Sequence, residues 1–305
     1  GSSVFGTRIS ERELHNKARL LAARWMLESQ YSPQAIQGAF SFASKADKRT
    51  TPSKVHYHLG LFNDHLCTEY KRKIYAAFPK DSTKDSAKAT SSATKGRATS
   101  LASRASDLPP MLTPQAHQYW QTLPTAFTVL TSSLVTSTKY CYQIIPRVVS
   151  MWFEVTEALQ DLFVRYHTET VHNANPRTME PWNLKIPKIE ARDKTARAIV
   201  DAYLTCMRMI SMLYKHIPAY VWLISFSLLI SGCVQRNPDV EDLIGKIIMK
   251  VLQQHPQQAI WHIFPLVNST SDERKQKYHW IRKQTSSLLY KNTNISLMTF
   301  FDETA

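Results

Sequence analysis

The sequence lacks the residue patterns that common nucleotide-dependent and hydrolytic enzymes place around their reacting atoms. It has only seven glycines in 305 residues, and none of them forms the glycine-rich loop that covers a phosphate group. The strings D-F-G, G-x-S-x-G and H-E-x-x-H are absent, as is a catalytic-loop Asp/Asn pair. Isolated carboxylates stand mostly at the starts of predicted helices, where capping accounts for them. We therefore expect no catalytic, cofactor-binding or metal-binding residue in this sequence.

Cysteine is also scarce, and no C-x-x-C pair is present. The four cysteines, Cys67, Cys141, Cys206 and Cys233, are widely spaced, so we expect free, buried thiols in a reducing compartment. His56, His58 and His65 lie near Cys67, but their spacings do not bring a set of ligands onto one face of a helix. No apolar central region of a secretory signal is visible at the N-terminus.

Strand-like alternation of Val, Ile and Thr is rare, whereas helix-forming residues dominate. Ser32-Pro33, Thr51-Pro52 and Thr113-Pro114 each have the pattern of a helix start. Leu59-Gly60 resembles the Leu-Gly pair of a tetratricopeptide repeat, in which glycine lets two helices approach closely. The sequence therefore predicts an all-α fold, an α-solenoid of antiparallel helix pairs with tetratricopeptide- or HEAT-like repeats.

The composition changes along the chain and divides it into five predicted segments. Two of these are not repeats: a basic insertion rich in Ser, Thr, Ala and Lys, and a connector with several prolines. The predicted order is N-terminal helical repeats 1–78, disordered insertion 79–112, helical repeats 113–172, connector 173–189 and C-terminal helical repeats 190–305.

The net charge of +14 raises the possibility of an acidic partner or of nucleic acid. From Lys71 to Ala105 there are nine Lys or Arg and two Asp, a net of +7, so half of the excess lies in one stretch. That stretch has no aromatic residue after Phe78 on which a base could stack. A tolerated basic insertion is the favoured interpretation, and a nucleic-acid-binding module is the alternative.

The most apolar block runs from Ile217 to Ile263. Asn237 is a predicted N-cap followed by Pro238 at the first helical position, and Pro256 should end that helix and begin the next. Lys250 should complement the dipole of its own helix. The uncharged run from Ile217 to Val234 is long enough to raise a membrane span as an alternative, but its Pro, Ser and Gly residues favour a buried core helix.

A second motif, YCYQIIPRVVSMW, covers residues 140–152. It resembles the aromatic-x-x-Q-x-x-P-R-x-x-x-x-W signature of the FAT region in phosphoinositide-3-kinase-related protein kinases. The apolar block resembles the later part of the same region through I-P-A-Y, N-P-x-V and H-P-Q-Q-A-I-W-H, and is most similar to the ATR checkpoint kinases. The positions that carry the resemblance are Tyr140, Gln143, Pro146, Arg147, Trp152, Pro218, Tyr220, Pro238, Pro256, Gln257, Gln258 and Trp261.

This resemblance implies a non-catalytic scaffold that positions the kinase domain of the same polypeptide. It further implies a parent serine/threonine kinase of the DNA damage and replication checkpoint, located in the nucleus. The implied partners are an ATRIP-like regulatory subunit and a second copy of the assembly, with ATP and Mg²⁺ only in the kinase domain and no membrane contact. The FAT region of an ATM- or TOR-branch kinase is the alternative within the same family.

Three side chains of these motifs receive specific predictions. Arg147 is the charged residue of the first motif, and we expect it to pair with a carboxylate or cap carbonyl groups. Trp152 and Trp261 are predicted to be buried core residues.

Overall fold

The computed structural model describes residues 11–44, 52–78, 109–170 and 193–289. Within these ranges the chain forms eleven α-helices and no strand, which confirms the all-α prediction. The helices are α1 Glu11–Glu28, α2 Pro33–Ser44, α3 Pro52–Ala76, α4 His117–Thr136, α5 Cys141–Thr170, α6 Lys194–His216, α7 Ala219–Leu223, α8 Phe226–Ser231, α9 Pro238–Gln254, α10 Pro256–Val267 and α11 Asp272–Leu289.

Helices that are neighbours in the sequence pack against each other, as in stacked helical repeats. α1 lies on α2, α3 on α4, and both α9 and α10 contact α11. A larger apolar core runs through α3 to α11, and a smaller one joins α1, α2 and the first half of α3. Together with the family match reported below, this packing confirms the predicted α-solenoid.

Several helix boundaries follow local sequence signals. α2 begins at Pro33, where the Ser32 hydroxyl accepts a hydrogen bond from the Ala35 amide at 3.4 Å. α3 begins at Pro52 and α10 at Pro256. Proline suits the first turn because its missing N–H would have no partner there. The segment boundaries given above remain predictions, since 79–108 of the basic insertion and the whole connector 173–189 lie outside the described residues.

The apolar run that raised a membrane span is not one continuous helix. It is divided into α7 and α8, with Ile224 and Ser225 between them. α7 packs against α9, and α8 packs against both α9 and α10. Among the described residues, no helix is both long enough and apolar enough to cross a bilayer.

The predicted close approach at Gly60 is confirmed. A β-carbon at Gly60 would lie only 2.5 Å from Cδ2 of Leu130 and 3.3 Å from the Leu130 backbone nitrogen. Gly60 is on α3 and Leu130 on α4, so this glycine lets the two backbones come together. In contrast, a β-carbon at Gly38 in α2 would meet nothing within 4 Å.

Replacing Gly60 with alanine is expected to destabilise the protein by about 1–3 kcal/mol, because α4 must shift to make room for the methyl group. The matched control is Gly38→Ala, which has space and should gain up to about 1 kcal/mol of helix propensity. Urea unfolding of both variants followed by circular dichroism measures the two changes. Equal behaviour of the two variants would contradict the close approach.

Candidate functional site

An ion pair joins the first motif, on α5, to helix α3. Arg147 on α5 donates from Nε to Oδ1 of Asp64 on α3 at 2.8 Å, and its NH2 group lies 2.7 Å from the same oxygen. Burial is the largest single influence and disfavours the charged guanidinium, but the hydrogen bond that Asp64 accepts and the negative charges of Asp64 and Glu154 together raise the pKa of Arg147. The prediction that Arg147 pairs with a carboxylate is thus confirmed.

A second polar contact lies further along the same two helices. Lys71 on α3 donates to Oε1 of Glu154 on α5 at 2.7 Å, and the Tyr119 hydroxyl on α4 donates to the same oxygen at 2.6 Å. Burial, with the Glu154 charge beside it, raises the pKa of Tyr119, so the phenol stays protonated and remains a donor. Glu154 therefore links three helices through one oxygen.

Cys67 lies on α3 between the two ion pairs and is fully buried. Burial, together with the nearby Asp64 carboxylate, raises the pKa of its thiol to about 12. A thiol of that kind is protonated at neutral pH, and the thiolate is the nucleophilic form. All four cysteines are free and buried, as predicted.

The aromatic residues of the first motif connect α5, and the turn Thr138–Tyr140 before it, to two other helices. Trp152 is completely buried, as predicted, and its indole nitrogen donates to the sulfur of Met207 on α6 at 3.3 Å. Tyr140 stacks on Tyr57 of α3 with ring centroids 4.1 Å apart. We name the six residues Asp64, Arg147, Lys71, Glu154, Tyr119 and Trp152 the α3–α5 clamp.

The remaining positions of the first motif, Gln143 and Pro146, lie near the start of α5. Gln143 is exposed on the first turn of α5, and Pro146 lies inside that helix, five residues after its start. Proline lacks an amide hydrogen, so the backbone hydrogen bond at this position of α5 is missing.

The cap at the start of α9 is built as the sequence predicts. Oδ1 of Asn237 accepts hydrogen bonds from the amides of Asp239 and Val240 at 3.0 and 3.3 Å, and Pro238 occupies the first helical position. The Asn237 side-chain amide also donates to the Tyr203 hydroxyl of α6 at 2.8 Å. The cap thus orders its own helix and fixes it against α6.

Lys250 was expected to complement the dipole of α9, but it acts on a different helix. Its ammonium donates to the carbonyl oxygens of Tyr214 and Ile217 at 2.6 and 2.8 Å, at the C-terminal end of α6. Those carbonyls lack helical partners, so a cation there stabilises the end of α6. Sequence reasoning missed this contact because it joins residues more than thirty positions apart.

Two further motif positions lie at the turn between α6 and α7. Pro218 is the residue before α7, and Tyr220 is exposed on its first turn. The Tyr220 hydroxyl donates to Oγ1 of Thr138 at 3.0 Å, which connects this turn to the segment before α5.

The burial predicted for Trp261 is wrong. Its side chain is 67% exposed, and Gln257 and Gln258 are exposed on the same helix. The buried residues of α10 are Ala259, Ile260, Ile263 and Leu266. A residue turns about 100° per position on a helix, so Trp261 points away from Ala259 and Ile263.

No metal centre emerges from the described part of the chain, in which no three His, Cys, Asp or Glu side chains are placed to hold an ion. The ion pairs of the clamp are among the polar side chains that do come together. Their hydrogen bonds join one helix to another.

Comparison with known proteins finds relatives of this chain. Residues 205–301 match the family model described as Serine/threonine-protein kinase ATR-like, HEAT repeats. The rice protein Serine/threonine-protein kinase ATR (Oryza sativa subsp. indica) is 22% identical over 157 residues, which is 52% of this chain and 5% of that protein. The protein of the same name from Arabidopsis thaliana is 25% identical over 138 residues, 45% of this chain and 4% of that protein. This chain resembles the helical region of ATR-like kinases.

The ATR-like match covers only part of the site. It includes the α9 cap, Lys250 and the exposed face of α10, and it begins after the clamp residues of α3, α4 and α5. The family model names HEAT repeats, whereas the motif resemblance points to the FAT region. The matched segments span about a twentieth of the length of the plant ATR proteins. No solved structure matches this chain.

Proposed function

We propose that this chain is a non-catalytic helical scaffold, the FAT region of an ATR-like serine/threonine kinase, and that it holds the kinase domain in position. The observation that supports this best is the α3–α5 clamp. The polar groups of its side chains form hydrogen bonds to other helices of the same chain. This arrangement favours a rigid scaffold over a catalytic site. The ATR-like match supports the choice of kinase family.

The parent protein proposed here is a kinase of the DNA damage and replication checkpoint that acts in the nucleus. Its proposed partners are its own kinase domain, an ATRIP-like subunit and a second copy of the assembly. ATP and Mg²⁺ would bind in the kinase domain. These proposals rest on the family resemblance and on the names of the plant relatives.

The clamp indicates how such a scaffold could transmit force. Arg147 and Glu154 are seven residues apart on α5, about two helical turns, and each is fixed to α3. Two attachment points on one helix oppose both sliding and rotation between α3 and α5. A displacement of α3 would then move α5 as a rigid body, because packed interfaces shift between discrete arrangements and do not deform continuously.

The test is to place Arg147→Ala in the full-length parent protein and to measure phosphorylation of a Ser/Thr-Gln peptide. We expect activity to fall while the KM for ATP stays the same, since the substitution loosens the scaffold and leaves the nucleotide site intact. The matched control is Lys246→Ala, which removes an ion pair between exposed side chains of α9. A parent gene that encodes no kinase domain, or unchanged activity in the Arg147 variant, would refute the proposal.

A further inference from the structure

A surface trough with a volume of about 400 Å³ runs along the outer side of α9. Its floor is formed by Asp242, Lys246, Met249 and Gln253, which are spaced four, three and four residues apart and therefore lie on one side of the helix. The C-terminal end of α6 borders one side of this surface, and α11 borders the other. We name it the α9 trough. Its recessed shape and its size are those of a ligand-binding surface.

Two aromatic side chains lie at the edges of the α9 trough. Trp280 of α11 is 39% exposed, and a β-carbon at Gly245 would lie 3.1 Å from Cη2 of its indole. The glycine thus lets the indole lie close to α9. Tyr214 lies at the opposite edge, with its ring centroid 5.2 Å from Nζ of Lys250. Since Met249 is half-buried between these edges, the trough offers apolar contact area beside charged groups.

Three lysines and two carboxylates line the α9 trough, which leaves a net charge of +1. Glu241 pairs with Lys277, and Asp242 pairs with Lys246. Lys250 instead donates to two neutral carbonyl oxygens at the end of α6. Burial lowers the pKa of Lys250, as expected for an ammonium without a carboxylate beside it. An ammonium group has three N–H donors, so a third one is left for an acceptor from outside.

The dimensions and charges of the α9 trough fit a short extended peptide. From Pro238 to Gln253, α9 is about 22 Å long, a distance that an extended chain of about seven residues covers. Glu241 and Asp242 would repel the regularly repeated phosphates of a nucleic acid. A peptide can place a single carboxylate beside Lys250 and keep the rest of its length uncharged.

We propose that the α9 trough binds a short acidic segment of another protein, in which a carboxylate lies next to an apolar residue. The carboxylate accepts a charge-assisted hydrogen bond from Lys250. The apolar side chain packs on Met249 between Tyr214 and Trp280, as aromatic and methionine side chains do in the centre of an interface. This inference goes beyond the proposed function and does not depend on it.

The test uses the 305-residue protein and an array of labelled heptapeptides with two variable central residues. One of the two is Asp, Glu, Gln or Lys, the other is Leu, Phe, Trp or Ser, and both orders are included. The remaining residues are Gly and Ser. Fluorescence anisotropy at low salt should show saturable binding of an acidic peptide with an apolar neighbour. Its Gln counterpart should bind about tenfold more weakly or worse. If no acidic peptide binds more tightly than its Gln counterpart, the proposal is wrong.

Substitutions in the α9 trough separate the two kinds of contact. Lys250→Gln should bring the affinity ratio between the Glu and Gln peptides to about one, because glutamine still donates to the carbonyls of α6 but has no charge. Met249→Glu should lower the same ratio while Lys250 keeps its contacts, so it decides the matter if the first variant does not fold. Trp280→Ala should weaken binding of both peptides by about tenfold and leave their ratio unchanged.

The matched control is Trp261→Ala, which removes an exposed tryptophan of α10 outside the α9 trough and should bind the peptides normally. Thermal melts followed by circular dichroism check that each variant is folded. Unchanged binding by Met249→Glu or by Trp280→Ala would overturn the proposal.

Two other occupants are tested in the same way. Displacement of the peptide by an oligothymidylate would assign the α9 trough to nucleic acid, and a dimer that Trp280→Ala converts to a monomer would assign it to a second copy. Either result would overturn the proposal. Kinase activity of the Arg147 variant tests the scaffold function separately, so the two failures can be told apart.

Discussion

Replacing Trp152 with alanine is expected to lower the free energy of unfolding by about 3–5 kcal/mol. The side chain is completely buried in the larger core, and its indole nitrogen donates to the sulfur of Met207. Alanine would leave a cavity between α5 and α6 that rigid helices cannot close, so both the transfer free energy and the packing contacts are lost. Urea unfolding monitored by circular dichroism measures the change.

Trp261 provides the matched control for this measurement. It is the same residue type in a helix of the same protein, but it is 67% exposed. Trp261→Ala should change the free energy of unfolding by less than about 1 kcal/mol, as expected for substitutions outside the core. If the free energy of unfolding fell by similar amounts in the two variants, the difference in burial between Trp152 and Trp261 would be contradicted.

Arg147→Ala is expected to cost about 2–3 kcal/mol. Breaking a fully buried ion pair costs about 3–5 kcal/mol because the remaining charge is stranded. The side chains here are 31% exposed for Arg147 and 17% for Asp64, so water screens part of that cost. Chemical denaturation of the variant measures the loss at neutral pH.

A double-mutant cycle separates the ion pair from other effects of the substitution. Asp64→Ala combined with Arg147→Ala should cost less than the sum of the two single changes, with a coupling of about 1–3 kcal/mol. The same cycle on Asp242 and Lys246, which are exposed on α9, should give less than about 1 kcal/mol. Additive losses at Asp64 and Arg147 would mean that the clamp does not act as a pair.

The parts of the fold that the sequence predicts well are those controlled by neighbouring residues. Asn237 and Pro238 begin α9 because capping involves only residues two or three positions away. Gly60 is predicted to allow a close helix approach because Leu59-Gly60 resembles the Leu-Gly pair of a tetratricopeptide repeat. Arg147 is predicted to pair with a carboxylate or cap carbonyl groups because it is the charged residue of the first motif.

The burial prediction that failed, at Trp261, concerns a helix with a wide apolar surface. In α10, Ile260, Trp261, Ile263 and Phe264 cover nearly half of the helix circumference, so periodicity cannot say which edge of that surface faces the core. α1 presents the same difficulty, since Leu14, Leu21 and Trp25 have helical spacing but lie on the side away from the core. In both helices, the buried side is decided by which neighbouring helix packs there, and that information lies elsewhere in the chain.

The identity of the clamp partners was beyond sequence reasoning for a related reason. Arg147 could have paired with any of several carboxylates, and its actual partner Asp64 lies 83 residues earlier. Lys250 was assigned to its own helix because local spacing is all that a single sequence displays. Long-range pairing is fixed by how the repeats stack, which becomes visible only in three dimensions.

The attachment of Lys250 to the end of α6 also has a consequence for synthesis on the ribosome. The carbonyl oxygens of Tyr214 and Ile217 can receive this ammonium only after a further 36 and 33 residues have been added to the chain. Until then those oxygens are hydrated, and the last turn of α6 is free to fray. The ribosome must therefore synthesise most of α9 before the C-terminal end of α6 receives the hydrogen bonds from Lys250.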